Sequence, residues 1–292
     1  MSNALASSFA RPAPTPPVEH RPKQLSVTRI NTLQRDPYAI YAERILRLTK
    51  LDMLDAPTDA RQRGTAIHAA LEDFEGAQEK KSPENLLTLL EDHLREAGQG
   101  EDEILSARAV NLRTITWYLN EWRGLRKNDV QNSWLERDGK LQFPFAGGSF
   151  KLTAQADRIE LRKDGSLAIV DFKTGAPPTN QQIGAGLEQQ MPLQAVIAEA
   201  GGFDGVPAKV ISALEYVAFK AAPAVTEVKT KTKSASDLAA DAKAGLETLL
   251  AGYADESQPY LSVPRIQFLS KYAGDYDHLA RRAEWAGEAG DE

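Results

Sequence analysis

Apolar positions fall at helical spacing through the first third of the chain and in short runs after it, so the order of elements can be read before any chemistry. Order begins at Leu25-Ser26-Val27-Thr28, where a serine or threonine cap precedes Ile30 and Leu33. Ile40, Tyr41, Arg44, Ile45 and Leu48 predict a helix from Tyr38 through Leu48 with basic residues interleaved. A second helix starts near Arg61 to Gly64 and carries Ile67, His68, Leu71, Glu72 and Phe74. Further helical periods run from Pro83 to Glu96 and from Glu101 to Leu125, the latter with Trp117, Tyr118 and Trp122.

The pattern then changes to alternating segments: Ser133 to Arg137, Leu141 to Phe145, Phe150 to Leu161 and Leu167 to Lys173. Asp164-Gly165 is a tight-turn signal and makes the last two an antiparallel hairpin. A helix follows from about Leu187 to Ala200, then a strand from Val210 to Phe219. Two helices close the chain, Asp237 to Tyr253 and Tyr276 to Trp285. This order predicts an α/β fold with a small mixed β-sheet flanked by helices and a helical N-terminal third.

Residues 1–24 hold Pro12, Pro14, Pro16, Pro17 and Pro22 among small residues without an apolar period. They read as a disordered Pro-rich linker, with Met1-Ser2-Asn3-Ala4 as a cloning remnant, and residues 286–292 as a disordered tail. A proline-rich start also suggests that the natural polypeptide is longer, with another domain before this one. Residues 25–285 form the expected domain. The chain has 292 residues, 42% of them hydrophobic and 26% charged, as in ordinary water-soluble domains. No apolar run approaches the roughly 18 residues that would span a bilayer, and no secretory signal opens the chain, so the expectation is a cytoplasmic protein without a membrane partner.

Cysteine is absent. Disulfides, thiol nucleophiles, cysteine-bound zinc and an iron–sulfur cluster are thereby excluded, and any metal must be held by oxygen or imidazole. A carboxylate-rich oxygen site favours Mg2+ or Mn2+. The formal net charge of −6 gives no global signature of nucleic-acid binding, which would need a local basic patch. Arg29, Arg35, Arg44, Arg47 and Lys50 form one basic group, and Lys229, Lys231 and Lys233 another. A solvated face accounts for either equally well.

Candidate chemistry centres on Asp171-Phe172-Lys173, which closes the apolar run Leu167-Ala168-Ile169-Val170 and is cut off by Thr174-Gly175-Ala176-Pro177-Pro178. On a strand Asp171 and Lys173 project together while Phe172 points away. A carboxylate and an ammonium so placed can hold a divalent cation and activate a water. Asp-x-Lys alone is expected about once by chance in a chain this long, and an Asp at a strand end usually caps a turn. Four further residues bear on it. Asp157 lies on the antiparallel neighbour, where two close carboxylates repel unless a cation sits between them. His68 and Glu72 share one helix face four residues apart. Gln190 opens the helix after the Pro177-Pro178 connection, where its amide can orient a water or Lys173 or touch a phosphate.

In order, Gly-x-x-x-His on a helix, Asp late in a strand, Asp-x-Lys-Thr-Gly across a hairpin and Gln at a helix start resemble the RecB-type branch of the PD-(D/E)XK nuclease superfamily. Leu25 to Ile30 with Asp36-Pro37-Tyr38 looks like the opening helix of that family. The resemblance runs from Leu25 to Trp285 and is nearest the C-terminal nuclease domain of AddB, a subunit of bacterial helicase–nucleases that process double-strand breaks. It implies His68, Asp157, Asp171 and the Phe172 carbonyl as metal ligands, Lys173 as the catalytic lysine, Gln190 as the motif glutamine and Glu72 as an accessory acid. It further implies Mg2+-dependent cleavage of DNA, as a single strand or a DNA end, to a 5′-phosphate and a 3′-hydroxyl, and a helicase partner, AddA. A catalytically silent DNA-binding or scaffolding module and a stand-alone CRISPR- or phage-type exonuclease are the alternatives.

Two departures stand out. Gln194 occupies the place where relatives often have a tyrosine, and Asp36 stands where many have a cluster-binding cysteine. The expected replacement for the cluster is a staple in which Tyr38, Tyr272, Tyr276 and Trp285 pack the two ends of the chain together.

Overall fold

The computed structural model describes residues 10–49, 60–77, 81–263 and 274–285. In chain order the first elements are β1 (Gln24–Ser26), α1 (Val27–Arg35) and α2 (Pro37–Ile40), which runs on into a π-helical turn, Tyr41–Ile45. Then come α3 (Ala60–Gly76), α4 (Pro83–Glu96), α5 (Glu101–Trp117), a second π turn (Tyr118–Trp122) and α6 (Arg123–Arg126). The strands β2 (Val130–Phe145), β3 (Gly148–Arg162) and β4 (Leu167–Lys173) precede α7 (Asn180–Gly184) and α8 (Gln190–Glu199). The remainder is β5 (Ile211–Ala218), β6 (Ala224–Glu227), α9 (Ala235–Tyr253) and α10 (Arg282–Trp285). The sheet has six strands in the order β1-β3-β4-β5-β6, with β2 paired to β3. It is mixed, because β4 is antiparallel to β3 and parallel to β5.

The chain divides into two units, Met1–Leu51 with Gln142–Thr153 and Ala244–Glu292, and Asp52–Leu141 with Ala154–Lys243. In the second unit the hairpin signal is realised as expected. Gly165 has φ +85°, and Asp164 Oδ1 accepts the Ser166 N–H at 2.8 Å. Leu167 to Val170 are completely buried, which is why this strand reads as an unbroken apolar run. Its Val170 and Phe172 pack with Ile67, Leu71 and Phe74 of α3 and with the leucines of α4. The same face carries a charged layer: Glu160 accepts from Arg126 and Arg158, Arg126 also pairs with Glu215, and Arg123 with Glu75.

In the first unit, Ser26 Oγ accepts the Arg29 N–H at 3.3 Å and starts α1 at the expected cap. Residues 10–24 differ from the disordered linker expected of them. Arg21 is 2% exposed, and its guanidinium donates to the carbonyls of Pro16, of Tyr253 at the C-terminal end of α9, and of Asp255 and Glu256 just beyond it. A cation is favourable there because the helix leaves its final carbonyls unpaired. Tyr260 N–H donates to the Pro14 carbonyl at 2.9 Å. Proline richness removed the periodic signal without preventing order.

Three of the four staple aromatics link the two ends of the chain. Tyr38 N–H donates to the Leu261 carbonyl, Tyr276 Oη donates to the Leu48 carbonyl at 2.8 Å, and Arg11 lies over the Trp285 ring at 4.9 Å. Tyr272, Lys50, and the stretches 1–9 and 286–292 lie outside the described residues. Asp36 adds a bond of its own, accepting the Val263 N–H at 3.0 Å.

Other boundaries shift. The two strands expected from Ser133 and Leu141 are one, β2, and the helix expected from Leu187 starts at Gln190. The short helix α7, closed by a Thr179–Gln182 capping box, precedes it. The final helix is one turn, Arg282–Trp285, because residues 275–281 form turns.

Candidate active site

The hairpin register sets Arg158 opposite Val170, so Asp157 and Asp171 meet at the end of the β3–β4 ladder. Their side chains do different work. Asp157 Oδ2 accepts the Phe172 N–H at 2.7 Å, while Asp171, 2% exposed, is gripped from both sides. Gln190 Nε2 donates to its Oδ1 at 2.9 Å, and Lys173 Nζ lies 2.7 Å from its Oδ2. Two residues apart on one strand face, Asp171 and Lys173 meet as strand alternation requires.

His68 reaches the same place from α3. Its Nε2 donates to the Phe172 carbonyl at 3.2 Å, and its Nδ1 faces Glu136 Oε1 at 3.3 Å and Asp157 Oδ1 at 3.5 Å. Its ring stands edge-on to Phe172, 6.1 Å between centroids, with the Phe172 side chain in the core. The backbone of Phe172 thus serves the site while its ring serves the packing.

Burial works against charge on His68, but Glu136, Asp157 and Asp171 outweigh it and push the imidazole up to about 9. Burial and the charge of Asp171 push Asp157 up to about 7, against the pull of His68 and the Phe172 N–H. Burial also raises Asp171, opposed chiefly by Lys173. Burial and the charge of Asp171 raise the phenol of Tyr216, its register partner on β5, whose ring lies 5.7 Å from Lys173 Nζ. A crowd of carboxylates whose charges resist one another is a site that a cation would relieve. His68, Glu136 and Asp157 each offer a ligand atom, and these lie within 4.8 Å of one another. Imidazole and carboxylate oxygens without sulfur suit a hard divalent ion.

Glu136 was not legible in the sequence. It sits within β2 at φ +45°, the left-handed region that a non-glycine residue rarely takes. Such a kink in a strand re-aims a side chain, and here the carboxylate ends beside His68. The only signal available was an acid in a strand next to β3, which many sequences have. Glu72 is not brought to this cluster. It lies exposed on α3, and among the described residues the carboxylate grouped with His68 and Asp157 is Glu136. Gln194 is 1% exposed, and its Nε2 donates to the Gln155 carbonyl, which ties α8 to β3 two residues before Asp157.

The expected basic patches are partly neutralised. Arg29 and Arg44 both pair with Glu43, Lys229 with Glu227 and Lys233 with Asp241. Among the described residues no helix is long and apolar enough to cross a membrane.

An uncharacterized protein of Rickettsia felis is 30% identical over 192 residues, 63% of this chain and 22% of that protein. An uncharacterized protein of Rickettsia conorii is 29% identical over 191 residues, 62% of this chain and 23% of that protein. The matched stretch thus spans under a quarter of the length of these curated relatives. Among solved structures, a candidate exonuclease from Eubacterium rectale aligns over 95% of this chain and 98% of its own, with TM-score 0.48 and 12% identity. SSO0001 aligns over 76% of each chain, with TM-score 0.31 and 12% identity. The sequence itself matches the PD-(D/E)XK nuclease superfamily over residues 24–264, a span that contains each residue gathered around Asp171, and the chain belongs to that superfamily.

Proposed function

We propose that the chain is a Mg2+- or Mn2+-dependent deoxyribonuclease, the nuclease domain of a helicase–nuclease subunit of the AddB kind, which processes DNA ends in double-strand break repair with AddA as partner in the cytoplasm. The observation that carries the nuclease reading is the convergence of His68, Glu136, Asp157 and the Asp171–Lys173 pair at one strand end. The Rickettsia relatives are consistent with the larger setting, since in them the matched stretch is a minor part of a longer protein.

A bound divalent ion would supply positive charge to polarise a phosphodiester oxygen and to make a water nucleophilic at neutral pH. His68, Asp157 and Asp171 would hold it with the Phe172 carbonyl, and Glu136 adds a further oxygen. Gln190 fixes one oxygen of Asp171 and so aims the other. Lys173 remains beside that second oxygen, where its ammonium stabilises negative charge growing on the phosphoryl group. Burial of Asp171 keeps water from weakening these interactions. Glu72, exposed on the surface, is left at most an accessory part.

The test is digestion of single-stranded and duplex DNA with Mg2+ or Mn2+ by the wild type and by Lys173→Ala. Cutting that depends on metal and is lost in the variant is expected, whereas equal cutting by both would refute the assignment of Lys173. Inactivity of both would favour a silent module or a requirement for AddA.

A further inference from the structure

We propose that a cavity next to the catalytic strand end is a phosphate-binding subsite for the nucleic acid, built by Arg63, Asn111, Thr174 and Lys220. The inference rests on the nuclease reading and names a second place where the substrate is gripped. The cavity holds about 200 Å³, and its lining joins these polar residues to apolar groups that include Ile67 and Phe219. It adjoins the active site through the chain itself. Thr174 follows Lys173, Ile67 precedes His68, and the Phe219 N–H donates to the Lys173 carbonyl at 2.8 Å.

The polarity of the lining selects the ligand. Arg63 donates to Asn111 Oδ1 at 2.7 Å, which uses the amide's acceptor and leaves Nδ2 as its free end. Asn111 is 4% exposed, and that Nδ2 has no partner. A buried donor left unpaired is costly, so its presence at a cavity wall calls for an acceptor from outside. Arg63, Thr114, Thr174 and Lys220 make up the rest of the polar lining. Among the described residues no carboxylate pairs with Arg63 or Lys220, and none lines the cavity. Cationic residues and an unpaired amide N–H, in a lining without a carboxylate among the described residues, match an oxyanion, and the oxyanion of this substrate is phosphate. It can be an internal phosphodiester or a terminal monoester.

The experiment uses fluorescein-labelled single-stranded 12-mers ending in 5′-phosphate, 3′-phosphate or hydroxyl at both ends. Binding is read by anisotropy across a salt series in calcium, for the wild type, Arg63→Gln and Lys220→Gln. Lys220 is exposed, so its variant guards against loss of fold. Each variant is expected to bind roughly tenfold more weakly at low salt and to flatten the slope of log K against log salt by about 0.7, the value for one lost contact to a single strand. A merely structural role would move the melting temperature and leave that slope unchanged. If the wild type prefers one phosphorylated end and the variants lose that preference, the ligand is the terminal monoester. If all three oligonucleotides weaken alike, it is an internal phosphodiester. Variants that bind like the wild type, or a wild type that does not bind, overturn the subsite. Wild-type cutting together with unchanged variant binding removes only the subsite. Variant-sensitive binding by a wild type that cuts nothing with Mg2+ or Mn2+, alone or with AddA, removes only the nuclease reading.

Discussion

Replacing Glu160 with Gln is the sharpest test of how the second unit holds its charged layer. Glu160 is completely buried and accepts three hydrogen bonds, from Arg126 at 2.6 and 3.0 Å and from Arg158 at 2.7 Å. The variant keeps the shape and removes the charge. Arg126 keeps Glu215 at 2.8 Å, but Arg158, 4% exposed, is left with Glu75 at 3.7 Å. Breaking a buried pair from one side costs about 3–5 kcal/mol, because the partner charge stays behind in a poor solvent. At about 1.4 kcal/mol per tenfold this is two to three and a half decades in the folding equilibrium. The reporter is built in, since Trp122 has the Arg126 and Arg158 guanidiniums 4.7 and 5.8 Å from its ring. Urea unfolding at pH 7, followed by tryptophan fluorescence, should show the loss. Burial alone would raise the Glu160 carboxyl, but Arg158 and Arg126 outweigh it and hold it below the ordinary 4.5. Its stabilisation is therefore full above 4.5 and fades as pH falls through the lowered value, so the gap between wild type and variant should close in acid. A loss under about 0.5 kcal/mol at pH 7 would refute the reasoning, as would a gap independent of pH. The double variant Arg158→Met with Glu160→Leu should recover part of the loss, because no charge is then stranded beside the sheet.

Three more outcomes follow from the site and the termini. In EDTA at pH 8, Asp157→Asn should melt higher than the wild type, because burial and Asp171 make the Asp157 charge unfavourable above its raised value of about 7. On the proposed metal site, Mn2+ should raise the melting temperature of the wild type, by the equivalent of about 2.7 kcal/mol at a hundredfold excess over Kd, and the same variant should lose that shift. Arg21→Met should destabilise by more than about 3 kcal/mol in urea, since it removes four hydrogen bonds and takes the guanidinium donor from the Pro16, Tyr253 and Glu256 carbonyls, while Asp255 keeps the Gln258 N–H. Tyr276→Phe, which removes one exposed bond to Leu48, should cost no more than about 1 kcal/mol in the same assay.

The sequence carried most of the site because its geometry is local. Strand alternation pairs Asp171 with Lys173, the Asp164-Gly165 turn fixes Asp157 opposite Asp171, and Gln190 lies one connection further on. His68 was reachable only through resemblance, since nothing in helical spacing says which sheet a helix face will meet. Glu72, which the resemblance implies as an accessory acid, shares the helix face of His68 but lies exposed, since residues four apart on a helix can still differ in burial. Glu136 escaped because its placement depends on a backbone conformation that no residue preference announces. The ordered segment around Arg21 escaped for the opposite reason: its contacts are to carbonyls more than 230 residues away, which leave no pattern in the local sequence.

The left-handed backbone at Glu136 has a consequence for anyone who would stabilise this protein. Glycine is the residue that conformation favours, so a search guided by stability alone would rank Glu136→Gly as an improvement. The substitution would relax the strand and delete a carboxylate from beside His68 in the same step. Tolerance to heat and the integrity of the candidate metal site are here set against each other at a single position, and selection for one must be checked by an assay for the other.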